Sequence, residues 1–306
     1  MIMMPLRFSM AQSWSQSRQF LDPHPFRMMA SNHDDEEQLQ DTPRPSKLSF
    51  LQYLQQDVDP QQCTVPLAAF CFMTGFIDSI SFSAVFVWCG FQTGNFVQLA
   101  VALARLFEGP PGQRDQSFHK ADQQALASLL AFNVGALFGR WGDHLGSHKR
   151  LWLIIGTFVQ TLLTMAAALT IWKSGSGAIA DNRGDPAWTN GLSLAAIIFM
   201  SASLGVQGIQ GKRLNTQFTT TIVLTTVWVE LMSDPSLFNL RRKVITRDHK
   251  LIAASSLFIG GFVSRAILGK IGSAGTLGVA VGLRALITLA WLFVPAKQKK
   301  GSEEGK

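Results

Sequence analysis

Residues Pro66 to Gly90 read PLAAFCFMTGFIDSISFSAVFVWCG, an apolar run interrupted by one acid, Asp78. A bilayer core about 30 Å thick needs roughly 20 apolar residues of helix at about 1.5 Å each, and this run meets that length. Working outward, five more stretches meet or nearly meet it: Ala125 to Trp141, Leu151 to Trp172, Leu192 to Ile209, Leu251 to Leu268, and Thr276 to Val294. Two shorter apolar pieces, Phe96 to Phe107 and Thr219 to Met232, each follow a long one closely. The expected fold is an all-α polytopic transmembrane helix bundle with six full spans plus two short segments. If the short segments also cross, the count is eight. If they do not, they are half-helices or re-entrant pieces, which membranes tolerate where protein or water covers the backbone.

Composition agrees with a membrane-embedded chain. Of 306 residues, 47% are hydrophobic and only 15% charged, with a mean hydropathy of +0.18, whereas soluble domains carry about 25% charged residues. Three cysteines (Cys63, Cys71, Cys89) exclude a disulfide-stapled secreted module. The net charge of +7 comes from basic residues spread over tails and loops, which reads as membrane topology and not as nucleic-acid binding. No Walker A, GxGxxG, GxSxG or HExxH motif occurs in a usable context. Asp143, His144 and His148 fall in a Gly- and Lys-rich loop without further ligands, so no metal site is expected there. No enzymatic activity and no cofactor are expected; the expected partners are the lipid bilayer and a small solute.

The division expected is a disordered polar tail over 1–65, a transmembrane domain over 66–296, and a charged tail over 297–306. The first tail is rich in Gln, Ser, Asp and Pro and has too little apolar surface to offset its chain entropy. Within it, Leu48 to Val58 reads either as a short interfacial helix or as a sticky piece of tail. No secretory signal is expected. The basic loop Arg241, Arg242, Lys243, Arg247, Lys250 and the lysines after Pro295 put both termini in the cytosol under the charge rule. That rule serves six and eight crossings equally.

The halves of the domain, 66–172 and 191–296, resemble each other. Gly75-Phe76-Ile77-Asp78 precedes Thr93-Gly94-Asn95, and Gly205-Val206-Gln207-Gly208 precedes Thr225-Thr226. The offsets are 130 (78 to 208) and 132 (93 to 225). Gly135-x-x-x-Gly139-Arg140 matches Gly260-x-x-x-Ser264-Arg265 at an offset of 125. Internal repeats with interrupted segments in corresponding places are a plan of secondary transporters.

The set Gly75-x-x-Asp78, then Gln92-Thr93-Gly94-Asn95, resembles the signature of the YoaK family of multi-pass membrane proteins, a domain-of-unknown-function group. The run from Thr221 to Thr226, followed by Glu230-Leu231-Met232-Ser233-Asp234-Pro235, resembles the form seen in fungal members. The resemblance spans roughly Val65 to Pro295. It departs at Gln207-Gly208, where many members carry Gln-Asn. It implies an integral membrane protein, usually counted as six-spanning, and no particular substrate.

An acid or arginine inside a span is costly and faces the protein interior or a cavity. Asp78 reads as a proton or cation carrier, or as the partner of Arg140, Arg265 or Arg284. Arg284 lies mid-span and stays charged at any ordinary pH, so it suits an anion. Arg140 and Arg265 sit near span ends, where snorkelling to headgroups is the plainer reading. Thr93, Gly94 and Asn95 open the first short segment, where a helix start would aim free N–H groups into the membrane; the alternative is a tight hairpin capped for stability alone. Gln207 and Thr225 are second-half counterparts, and Glu230 falls near the headgroups. The leading expectation is a secondary transporter or permease for a small polar or anionic solute, with a pathway along Asp78, Asn95, Gln207, Thr225 and Arg284. The alternative is a non-transporting scaffold or lipid-interacting protein.

Overall fold

The computed structural model describes residues 49–216, 218, 221–222, 225–239 and 241–298. The expected tail over 1–48 and the charged end from 299 lie outside them. Among the described residues the architecture is all-α: α1 (Phe50–Leu54), α2 (Thr64–Val85), α3 (Gln92–Arg105), α4 (Lys120–Gly139), α5 (Trp141–Leu145), α6 (Arg150–Ser174), α7 (Gly191–Leu214), α8 (Thr225–Met232) and α9 (Ile245–Ala290).

Among the described residues four helices are long and apolar enough to cross a membrane, not the six expected: α2, α6, α7 and the long one beginning at Ile245. The difference has two causes. First, α4 carries Lys120, Asp122, Gln123, Gln124 and Asn133, which lower its hydropathy. Second, the last two apolar stretches are joined in α9. Its 46 residues would extend about 69 Å if straight, over twice the hydrocarbon thickness. It is not straight. Gly272 has φ 70 and ψ 177, a conformation reserved for glycine. Ser256 before the break lines one groove with Leu283 and Ile287 after it, so α9 doubles back into two arms. The greater part of each of the six expected apolar stretches therefore lies on a helix.

The neighbours of each helix fix its direction. Along α2, Thr64 meets His249 (3.4 Å) and Gly75 meets Leu257 and Gly261, so α2 and the first arm of α9 run in parallel. Along α4, Ser128 meets Ser201 (2.8 Å) and Gly139 meets Ile209, so α4 and α7 are also parallel. The second arm of α9 packs antiparallel on α6, with Thr157 bonded to Trp291 and Arg284 to Gln160.

The two parallel contacts are copies of each other. A Cβ on Gly75 would overlap the carbonyl of Leu257; one on Gly205 would overlap the carbonyl of Phe132. A Cβ on Gly260 would overlap the carbonyl of Phe72; one on Gly135 would overlap that of Ala202. Every pair maps onto its counterpart by the offsets 130 and 125 read from the sequence. Small residues at these points let the backbones approach closely, which is how apolar helices associate where hydrophobic burial offers little gain.

Residues 49–65, expected as part of the polar tail, are ordered. Helix α1 forms where the interfacial helix was one of two readings. Val58 N–H donates to His148 O (3.0 Å), and Lys297 N–H donates to Asp57 O (2.8 Å). The Arg150 guanidinium lies 3.8 Å from the Tyr53 ring centroid and donates to the carbonyls of Tyr53 (2.9 Å) and Val294 (2.5 Å). A polar segment gains order here because a buried arginine needs the carbonyls it supplies. The same contacts put the entry to α2 and the exit from α9 at one end of the bundle.

Candidate functional site

Helix α2 stops at Phe86, whose φ of 56 is left-handed. The chain then drops back beside α2. Asp78, two turns before that end and buried, receives two backbone N–H groups on Oδ1, from Cys89 (2.8 Å) and Gly90 (2.7 Å). Gly90 has to be small, because a Cβ would stand 3.0 Å from Asp78 Oδ2. Asn95 closes the loop from the other side. Its Oδ1 accepts from Trp88 N–H (3.2 Å) while its Nδ2 donates to Trp88 O (2.5 Å) and Ser128 Oγ (3.1 Å). Ser128 also donates to Trp88 O (2.8 Å), and Gln92 Nε2 donates to Cys89 O (2.6 Å).

Helix α3 thus starts deep, beside Ser128, and climbs back to the first turn of α4, where Arg105 pairs with Asp122 and Gln98 donates to Ala121 O (3.1 Å). It is a half-helix that returns to the end from which it came. Its first residue is Gln92, so Thr93 is not the cap. Thr93 is exposed, Gly94 packs under Phe91 and Trp88, and Asn95 is buried. The acid and the amide hold the backbone of the hairpin.

Above this hairpin lies a cavity of about 980 Å³. Phe82, Phe86 and Trp88 form one side, Gly94, Val97 and Val101 another, and Lys120, Arg183 and Asp185 the rim. Lys120 and Arg183 are exposed. His119, also lining, is bonded to Asp115 (2.6 Å). Hydrogen bonds from Ser117 and then His119 hold the Asp115 carboxyl well below the usual carboxylate range.

The other expected site residues do not converge there. Gln207 is buried on α7 and donates to Phe70 O and Thr74 Oγ1, both at 2.9 Å, while its Oε1 has no partner among the described residues. Arg284 is fully buried and meets no carboxylate among the described residues. It donates to Gln160 Oε1 and Ser203 Oγ (3.3 Å), and Gln160 passes a bond to Gln210 (2.5 Å). Thr225 opens α8 and is exposed. Arg140 and Arg265 are exposed, and Arg265 shares a groove with Asp78. Glu230 pairs with Lys250 at 3.3 Å.

The sequence model of a family described as a protein of unknown function, DUF1275, matches residues 67–290. The chain belongs to that family. No curated protein and no solved structure matches it. The DUF1275 match runs from the first turn of α2 to the last residue of α9. It includes every expected site residue and leaves the docked segment before Thr64 outside.

Several residues that build this site escaped the sequence reading. Ser128 sits inside an apolar run, and Lys120, Asp122 and Arg183 lie outside the apolar stretches, where no pattern marks them. Gln160 had a usable signal: it is a long amide in the middle of an apolar stretch, the sort of partner a mid-span arginine requires, whereas Gln210 falls just past the end of its stretch at Ile209.

Proposed function

We propose that this DUF1275 protein crosses the membrane six times and works as a secondary transporter or permease for a small polar or anionic solute. In this reading α3 and α8 belong to re-entrant hairpins, the halves 66–172 and 191–296 are an inverted duplication, and both chain ends face the cytosol. The reciprocal glycine contacts support the duplication. The loops carrying Lys149, Arg213 and Arg241 to Lys250 fall at the end of the bundle where α2 begins and α9 ends, which suits a cytosolic face. The kinship with fungal members of the YoaK family rests on the ordered motifs and belongs to the same proposal.

One observation carries the reading: the cavity of about 980 Å³ whose floor is a half-helix hairpin anchored on an acid within α2. Irregular backbone at membrane depth is tolerated where it lines a cavity, and interrupted helices mark solute sites. The site therefore moves from the Arg284 region to the α3 cavity. No enzymatic step and no cofactor enter the proposal.

The test uses Val97→Cys, at an exposed position lining the cavity. Cys63, Cys71 and Cys89 are all buried, so a maleimide reaches the new thiol selectively. Flux of a panel of small anions and polar solutes is measured in proteoliposomes. We expect flux of one solute class, abolished by the label. Absence of flux for every class, or flux indifferent to the label, removes the proposal. The scaffold reading then gains, and it has an observation of its own: Asp78, Arg284 and Glu230 each have bonding partners inside the protein.

A further inference from the structure

A second cavity, about 470 Å³, lies between α2 and the first arm of α9. Leu257, Phe258, Gly261 and Phe262 give it an apolar wall, and Phe258 and Phe262 are 73% and 67% exposed. On an apolar helix of a membrane protein such exposure faces acyl chains. The two cavities share two lining residues, Phe82 and Trp88. Those rings stack on each other, with centroids 4.1 Å apart and planes 18° apart. A partition one ring pair thick therefore separates a charged vestibule from a lipid-facing groove.

We propose that the two cavities form one bipartite site for an anionic amphiphile, its head in the vestibule and its chain in the groove, with Phe82 and Trp88 as the movable partition. The vestibule supplies the head's partners. Lys120 and Arg183 stand at its rim with no ion-pair partner among the described residues, and Arg105 is spent on Asp122. Asp185 is the one rim acid, so cations prevail and a phosphate or carboxylate is favoured over an ammonium group. The groove supplies the chain's surroundings, since most of its lining surface is apolar, with Asp78 and Arg265 also in the lining. A free inorganic anion has the head chemistry without the chain and uses only half of the site. Two aromatic side chains with few rotatable bonds serve as the door, because turning their rings opens the partition without moving a helix. The inference uses the cavity of the transport reading, but binding alone carries it, so transport can fail while it stands.

The full chain in nanodiscs of neutral lipid is titrated with dodecyl phosphate, inorganic phosphate and dodecyltrimethylammonium, and the melting temperature is followed, since a ligand of the folded form raises it by mass action. Dodecyl phosphate is expected to bind at least tenfold more tightly than either of the others. Lys120→Gln with Arg183→Gln, both at exposed positions, is expected to weaken it tenfold or more while leaving the ligand-free melting temperature unchanged. Gly261→Leu, whose side chain would occupy the groove, is expected to reduce dodecyl phosphate to the level of inorganic phosphate; Ser79→Leu serves if that variant does not fold. Equal affinity for inorganic phosphate overturns the bipartite site in favour of a free-anion site. Equal affinity for the cationic amphiphile, or indifference to the double variant, overturns anion recognition in the vestibule.

Discussion

The sharpest test of the packing is a set of single methyl groups. Gly75→Ala places a Cβ on the Leu257 carbonyl, and Gly205→Ala places one on the Phe132 carbonyl, both well inside the 3.0 Å that real Cβ atoms essentially never show. The obstacle is backbone, so no rotamer change relieves it and the helices must part. Overpacking of this kind costs about 1–3 kcal/mol, and opening a gap of about 0.5–1 Å forfeits a quarter to a half of each dispersion well along the interface. Against this, Gly→Ala inside a helix gains about 1 kcal/mol. The net expectation is a loss of about 2 kcal/mol for each variant, or about 4–8 °C in melting temperature for a domain of this size. Gly278→Ala is the control: it lies in the second arm of α9 with nothing within 4 Å, and should raise stability by the helix gain alone. The reciprocal geometry adds a second expectation. Gly75→Ala and Gly260→Ala disturb one interface, so the second change should cost less than it does alone; Gly75→Ala and Gly205→Ala lie in different interfaces and should add. Thermal unfolding in detergent reads all of these. If Gly75→Ala or Gly205→Ala behaves like Gly278→Ala, the close parallel packing is wrong.

Gln160→Leu should be worse than Arg284→Met, because it leaves a buried guanidinium with Ser203 as its one remaining partner and Gln210 without its donor, at about 3 kcal/mol or more, whereas the arginine variant leaves only a neutral amide oxygen unpaired; comparable losses in thermal unfolding refute that account of Arg284. Asp78→Asn keeps an oxygen for the Cys89 and Gly90 amides and should fold with a small loss, while Asp78→Leu leaves both donors unpaired, at about 1–3 kcal/mol each. Equal melting temperatures for the two variants would show that the carboxylate does not anchor the hairpin. The exposed pair Arg213–Asp143, with two bonds of 2.7 Å, holds the Asp143 carboxyl below its ordinary value. Its contribution is therefore present above about pH 4, the unfolded value, and is lost as pH falls through the lower folded value. The acid-side drop in melting temperature should be smaller in Arg213→Gln and smaller in both proteins at high salt.

The helices were legible because apolar length is a property of the segment itself. The greater part of each of the six apolar stretches lies on a helix, and the offsets 130 and 125 related the glycines of one half to those of the other, though not to the backbones they face. What the sequence concealed was the separation of segment from span. Gly272 is one glycine among several in the run from Gly269 to Gly282, and only its positive φ distinguishes it. The role of Asp78 was likewise hidden. An intramembrane acid suggests a mobile proton or an arginine partner, but the groups that meet it are the backbone amides of Cys89 and Gly90, which every sequence contains and no pattern marks. Arg284 reads from the sequence as suited to an anion, but the groups that meet it among the described residues are one neutral amide, Gln160, and one hydroxyl, Ser203.

The same accounting explains the departure at Gln207-Gly208. Under the offsets 130 and 132, Asp78 corresponds to Gly208 and Gly90 to Ile222. In the first half the large side chain is on the long helix, and the loop residue beneath it must be glycine. In the second half the arrangement is exchanged: the helix supplies the glycine, and the Ile222 side chain fills the space, 3.3 Å from where a Gly208 Cβ would stand. Each pairing excludes one side chain, so neither position can change alone. Placing an acid at Gly208 would drive it into Ile222, and placing a side chain at Gly90 would drive it into Asp78. Among the described residues, the first loop is held by hydrogen bonds to a carboxylate, and in the second half the Thr221 carbonyl accepts from Thr74 Oγ1 (2.9 Å) beside the apolar contact of Ile222 with Gly208.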